Sequence, residues 1–164
     1  CRWVLRPLGR ADWPPVSAVL TLGKPEHLEK LFTMVTSYHG EAGITLSDEA
    51  RLAGVAPLLE GIPHGIAYLI GPPRAPIGYI IITFGWSLEL GGMDGTINEF
   101  YVRSGVRGRG IATETLQKLP KALGDAGLVA LHLQINNVDD TNRRLFTRVG
   151  FAVRENHHVM TRKF

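Results

Sequence analysis

The stretch Val106–Ala112, VRGRGIA, sets two glycines and two arginines between a run of β-formers, GTINEFYV, and a run with helical spacing, TETLQKLPKAL. Glycine lets the backbone turn tightly, and the first turn of a helix carries unpaired N–H groups. Together they make a seat for an anion, and a phosphate fits it. The surrounding charge agrees: Arg103 to Lys121 holds five basic residues, Arg103, Arg107, Arg109, Lys118 and Lys121, against one acid, Glu114.

Other kinds of chemistry are less well supplied. The single cysteine, Cys1, leaves no internal disulfide and no cysteine zinc cluster, and it suits a reducing compartment. None of the six histidines stands at metal-ligand spacing; His157 and His158 are neighbours in a predicted strand and so face opposite sides. No metal site is expected. The net charge of +3 is mild, compatible with an acidic ligand but too small to demand nucleic acid. No run is long and apolar enough to span a bilayer, and no signal-peptide pattern appears, so the expectation is a soluble, cytoplasmic protein.

The elements that position the glycine-rich turn follow from periodicity. A chain of 164 residues with 45% hydrophobic residues can bury one core, and a single domain over residues 1–164 is expected. RWVLRPL alternates as a strand, and Ala11 to Leu22 has helical spacing after its prolines. A helix should follow Pro25, with Leu28, Leu31, Phe32 and Val35 on one face, and TLSDEARL opens another, capped by Thr45 or Ser47 and running to about Leu59. HGIAYLIG, PIGYIIITFGW and GTINEFYVR then read as an antiparallel meander. The helix after VRGRGIA leads to the strand LVALHLQI, which makes a parallel βαβ pair, followed by a helix over Asp139 to Val149 and strands around FAVRE and HHVMTRKF.

Two of these segments carry a family resemblance. Arg107, Gly110 and Ala112 stand after EFYV in the order of the first signature of the GNAT superfamily of acetyl-CoA-dependent N-acetyltransferases. Phe146, Gly150 and Phe151 in DDTNRRLFTRVGF resemble its second signature. The resemblance implies an α/β fold of the α+β type: a mixed, mostly antiparallel sheet of about six to seven strands with a parallel splayed pair, flanked by helices. It also implies that acetyl-CoA is the co-substrate. Its pyrophosphate would lie on the backbone of Arg107, Gly108, Arg109, Gly110, Ile111 and Ala112, and its pantetheine arm along Phe100, Tyr101 and Val102, in the opening between EFYV and LHLQI.

An amine is mostly protonated near neutral pH, so its attack on a thioester needs a base. Resemblance to aminoglycoside-type members puts that base at Glu99; polyamine-type members place it one residue earlier, where this chain has Asn98. Strand neighbours face opposite sides, so only one of the two can look into the acceptor cleft unless a bulge intervenes. The family's usual thiolate-protonating tyrosine is replaced by Phe146, which can pack against the cofactor but cannot donate a proton. Asn142 remains able to bond the pantetheine, and Asp139 reads as a helix N-cap. Tyr38, His39 and Glu41, at the end of the helix after Pro25, together with Trp86 and Asn98, are the candidates for holding the acceptor.

The expected reaction is acetyl transfer from acetyl-CoA to a primary amine of a small, cationic molecule, in a ternary complex. Acetylation of a protein or peptide amine, and a domain that senses acyl-CoA without turnover, are the other readings. The resemblance leaves the oligomeric state open, with homodimers common in the family.

Overall fold

The computed structural model describes residues 20–136 and 139–164. The chain divides into two units, Cys1–Gln134 and Ile135–Phe164. In the first, a short strand β1 (Leu20–Leu22) leads through a 3-10 turn at Pro25–His27 into helix α1 (Leu28–Ala42) and then helix α2 (Asp48–Glu60). Three longer strands follow, β2 (Gly65–Ile70), β3 (Gly78–Ser87) and β4 (Gly92–Val102), and then helix α3 (Ile111–Asp125) and strand β5 (Ala130–Leu133).

The helices begin and end where local chemistry says they should. Ser47 accepts a hydrogen bond from Ala50 N at 3.2 Å, which caps α2 and contributes about 1 kcal/mol. The left-handed Gly43 and Gly61 end α1 and α2. On α1, Leu31, Met34 and Val35 are buried with Val55 and Leu59 of α2, against Ala67, Leu69, Tyr79, Ile81 and Tyr101 of the sheet. Alternation then assigns Tyr79, Ile81 and Thr83 of β3 to this helix-covered face. Residues of β2 and the first half of β3 that point the other way are buried too, so the middle of the sheet is covered on both faces.

The sheet runs in the order β1-β2-β3-β4-β5, antiparallel except for the last, parallel pair. Gly78 lets β3 and β4 close at their shared end, because a Cβ there would drive into the Tyr101 carbonyl. The β4–β5 ladder runs from Asp94↔Ala130 to Ile97↔Leu133 and stops. Among the described residues, β4 from Asn98 to Val102 therefore has a ladder only on its β3 side.

Two expectations need correction. Among the described residues the sheet has five strands, below the six to seven expected, and no strand forms over FAVRE or HHVMTRKF. Alternation in sequence reports amphipathicity, whereas a strand needs a paired neighbour, and Asn156 at φ 60 interrupts the extended path. Of the helix expected over Ala11–Leu22, only Leu20–Leu22 is described, and it is strand β1, paired with Ile70, Leu69 and Tyr68. The strand expected over RWVLRPL lies outside the described residues.

The second unit contains helix α4 (Asp140–Arg148). Asp139 caps it, accepting from Asn142 N at 3.0 Å and from Asn142 Nδ2 at 2.5 Å. The Phe146 ring meets Phe151 edge-on at 5.6 Å. His157 bonds locally to the Glu155 carbonyl, and among the described residues no cluster of three His, Cys, Asp or Glu side chains is placed to hold a metal ion.

Candidate active site

The ladder between β3 and β4 pairs Ile81 with Glu99 and then Ile82 with Ile97, so Asn98 is an extra residue on β4. This is a β-bulge, and it releases two neighbours from strict alternation. Asn98 Nδ2 donates to Thr83 Oγ1 at 2.6 Å, while Tyr79 donates through its hydroxyl to Glu99 Oε2 at 2.7 Å. Thr83 and Tyr79 stand on the same face of β3. Both Asn98 and Glu99 thus reach the helix-covered face, and the choice between them posed by alternation disappears.

Helix α1 supplies the second partner of Glu99. His39, only 5% exposed, places Nε2 2.7 Å from Glu99 Oε1. Its other ring nitrogen, Nδ1, accepts a hydrogen bond from Arg51 Nε at 3.2 Å. Arg51 is buried as well, at 8% exposure, and is fixed by Asp48 Oδ1 at 2.6 Å, by the Leu46 carbonyl at 3.1 Å and by the Phe32 ring, 5.8 Å below its guanidinium carbon. A surface role for His39 at the end of α1 is excluded by this burial. Burial, reinforced by the Glu99 charge, pushes the Tyr79 hydroxyl far above the ordinary tyrosine range and raises Tyr38 in the same direction. Both phenols therefore stay protonated, and Tyr79 remains a donor to the carboxylate.

Aromatic rings wall this cluster. Tyr101 lies 5.8 Å from Tyr79 and 6.2 Å from Tyr38, centroid to centroid. The Arg107 guanidinium carbon lies over the Tyr101 ring, 5.5 Å from its centroid. Arg107 folds back from the glycine-rich turn, donating from Nε to the Val102 carbonyl at 2.7 Å and from Nη2 to Glu41 Oε2 at 2.6 Å. Glu41 also accepts from the Tyr101 hydroxyl at 3.4 Å.

The turn itself has the features its composition suggested. Gly108 and Gly110 are left-handed, with φ 77 and 80, and nothing lies within 4 Å of where a Cβ would stand on either. Gly110 is the N-cap of α3 and no side chain caps that helix start, so the positive end of the helix dipole is left open to an anion. Ile111 and Ala112 are the first two residues of α3, and Arg109 is exposed beside them.

The structure thus brings Tyr38, His39, Glu41, Glu99, Tyr101, Val102 and Arg107 into one continuous set of contacts. It does not bring Trp86 there. That residue, 52% exposed, pairs with Met93 at the far end of β3, five positions from Ile81 and so about 17 Å away along the strand. Phe100 pairs with Ile80, one step from Glu99.

Sequence reasoning missed Tyr79 and Arg51, and each left a signal. Tyr79 is the one polar side chain in a run of buried isoleucines. Arg51 shares the i, i+4, i+8 stripe of Val55 and Leu59, which puts a cation on the apolar face of α2.

Comparison with known proteins decides the family. The model of the acetyltransferase (GNAT) family matches residues 27–151. The chain belongs to that family. It is therefore an acyltransferase by descent, with a GNAT fold. No curated protein matches the sequence. Among solved structures, an integron cassette protein from the mobile metagenome of Cole Harbour Salt Marsh is 25% identical, with a TM-score of 0.76 over 91% of this chain and 92% of that one. A predicted acetyltransferase from Clostridium acetobutylicum, solved with acetyl-CoA, is 16% identical, with a TM-score of 0.70 over 87% of this GNAT chain and 94% of its own. An aminoglycoside acetyltransferase from an uncultured soil metagenomic sample, in complex with sisomicin, has a TM-score of 0.72 at 11% identity, over 88% and 95% of the two chains. At such identities these last two share the fold alone.

Proposed function

We propose that the chain is a single acetyltransferase domain that moves an acetyl group from acetyl-CoA to a primary amine of a small, cationic molecule by direct attack in a ternary complex. The family match, residues 27–151, extends from the first unit into the second, which supports the single domain. The observation that carries the reading is Glu99: a carboxylate set by a bulge on the helix-covered face of β4, beyond the end of that strand's ladder with β5 among the described residues.

The residues present fit acetyl-CoA. Gly108 and Gly110 leave room for a pyrophosphate against the uncapped start of α3, with Arg107, Arg109, Ile111 and Ala112 around it. The β4 edge at Phe100, Tyr101 and Val102 offers backbone groups to a pantetheine arm, and an N–H donor there would stabilise charge on a thioester carbonyl. The roles of Asn142 and Phe146 rest on the family resemblance alone, and the Asn142 amide has Asp139 as a partner. When bound, the cofactor supplies the acetyl group as a thioester.

The protein's own part is proton transfer and orientation. Glu99 takes one proton from the ammonium form of the acceptor, leaving nitrogen with a lone pair to form the new C–N bond. The C–S bond breaks, and the second amine proton ends on the departing thiolate. Phe146 offers no hydroxyl for this last step, for which solvent, Tyr101, Tyr38 or a histidine can serve. Negative charge at Glu99, with Glu41 on the same helix as His39 and Tyr38, favours a cationic acceptor held by carboxylates and aromatic faces. Asn98 borders the same face.

A CoA-release assay over polyamines, aminoglycosides, amino acids and peptide N-terminal amines tests the reading. Turnover with a small polycation, lost in Glu99→Gln with acetyl-CoA binding intact, is the expected result. Equal turnover of Glu99→Gln across pH would sink the base assignment, and tight acetyl-CoA binding with no turnover on any amine would make the domain a sensor.

A further inference from the structure

His39 and Glu99 lie at hydrogen-bond distance, and either one could in principle receive the acceptor's proton. The choice depends on which imidazole nitrogen carries hydrogen. If Nε2 is protonated, His39 is a donor and the carboxylate is the base. If Nδ1 is protonated, a bare Nε2 faces the site and imidazole competes for the proton.

We infer that Arg51 is a positioning residue that holds His39 as the Nε2–H tautomer, so that the pair presents the Glu99 carboxylate, and not the imidazole, as the proton acceptor. The inference deepens the acetyl-transfer reading and rests on it. A guanidinium has donors only, and Arg51 Nε points at His39 Nδ1 from 3.2 Å, so Nδ1 must offer a lone pair. The ring proton of neutral His39 is then on Nε2, 2.7 Å from Glu99 Oε1, an oxygen that accepts. The opposite tautomer would set N–H against N–H at Arg51 and lone pair against lone pair at Glu99, both in a buried site where such mismatches are least screened.

Arg51 is itself held firmly enough to enforce this. Its other nitrogens are occupied by Asp48 Oδ1 and the Leu46 carbonyl, and its plane lies over Phe32. His39 itself meets Glu99 from β4, Arg51 from α2 and Tyr38 from its own helix, while Asp48 bonds Arg51 and Glu41 bonds Tyr101. Tyr79 donates to the second Glu99 oxygen. Each carboxylate oxygen thus has one donor from the protein and one lone-pair site left for a substrate proton. The outcome is a base whose orientation is fixed from α1, α2 and β3 at once.

Nitrogen-15 NMR of imidazole-labelled protein, at a pH where His39 is neutral, reads the tautomer directly. The wild type should show a protonated Nε2 and a bare Nδ1 at His39; a protonated Nδ1 would overturn the inference without any variant. Arg51→Met should release the preference and lower kcat by about tenfold to a hundredfold while KM for acetyl-CoA stays unchanged. Arg51→Lys, which keeps a donor, should restore part of both. A merely structural Arg51 would lower the melting temperature and leave the tautomer as it is, which also overturns the inference. Glu99→Gln separates the two readings: if it keeps full turnover, the carboxylate base falls whatever the tautomer, and if it abolishes turnover while Arg51→Met keeps both tautomer and kcat, only the role of Arg51 falls.

Discussion

The last turns of α1 send two side chains across to the neighbourhood of β4, and the two links differ in kind. His39 meets Glu99 in a buried cluster, with side chains 6% and 20% exposed, backed by Arg51 and Tyr79. Glu41 meets Arg107 two residues later, with side chains 45% and 46% exposed. In the first link each partner is fixed by a third group, so geometry is set and water is kept out. In the second, the Arg107 side chain bridges Glu41, the Tyr101 ring and the Val102 carbonyl but remains open to solvent, so it can exchange partners at little cost. Burial is what separates an orienting contact from a replaceable one, and the replaceable one lies where a cofactor would have to approach.

The largest effect that would break this contrast is on turnover. Glu99→Gln should lower kcat by about 10²- to 10⁴-fold, whereas Arg107→Met should act mainly on KM for acetyl-CoA. Steady-state kinetics with both substrates varied distinguishes them, and equal effects on kcat would erase the difference between the two links.

Alkaline titration probes the buried side. Burial raises Tyr68 from 10.0 to about 12, and Tyr79 and Tyr38 are raised as well. The unfolded chain therefore loses these phenolic protons first, so their stabilisation is complete below pH 10 and is lost as pH rises. For Tyr68 that loss is roughly 3 kcal/mol between pH 10 and 12. Thermal unfolding followed against pH should show it. Tyr68→Phe should flatten the decline, and should not lower stability at neutral pH, because the buried Tyr68 hydroxyl has no hydrogen-bond partner among the described residues.

A smaller effect is expected at the glycine-rich turn. Gly110→Val places a β-branched side chain at φ 80 and sets its methyls at the open helix start. Stability should fall by about 1–2 kcal/mol, and calorimetry should show weakened acetyl-CoA binding while the His39–Glu99 cluster keeps its NMR signature. The smallest effect belongs to the exposed link: a double-mutant cycle of Glu41→Gln and Arg107→Met should give a coupling of about 0–1 kcal/mol, shrinking further in high salt.

The order of elements from α1 to α4 was legible because apolar period and turn chemistry are local. Asp139 was readable as a cap, and Ser47 as one of two candidates with Thr45, for the same reason. The two signatures, around Arg107 and Phe146, were enough to suggest the family. Terminal strands were overread, since FAVRE and HHVMTRKF carry alternation without a partner to pair with, and the segment ending at Leu22 was read as helix although its pairing with β2 makes it strand. At the site, Glu99 and His39 were each visible as candidates but not as a pair, being far apart in the chain.

Residue types and spacing therefore determined a glycine-rich turn suited to an anion and the meander with its parallel pair, and the family resemblance added a short roster of side chains able to move a proton. Only the tertiary structure decided how they meet. A one-residue bulge at Asn98 depends on the register between β3 and β4 and turns Glu99 to the helix-covered face. The packing of α1 and α2 then buries a histidine and an arginine beside it. Register and burial are properties of pairs of segments distant in the chain, so no local pattern encodes them.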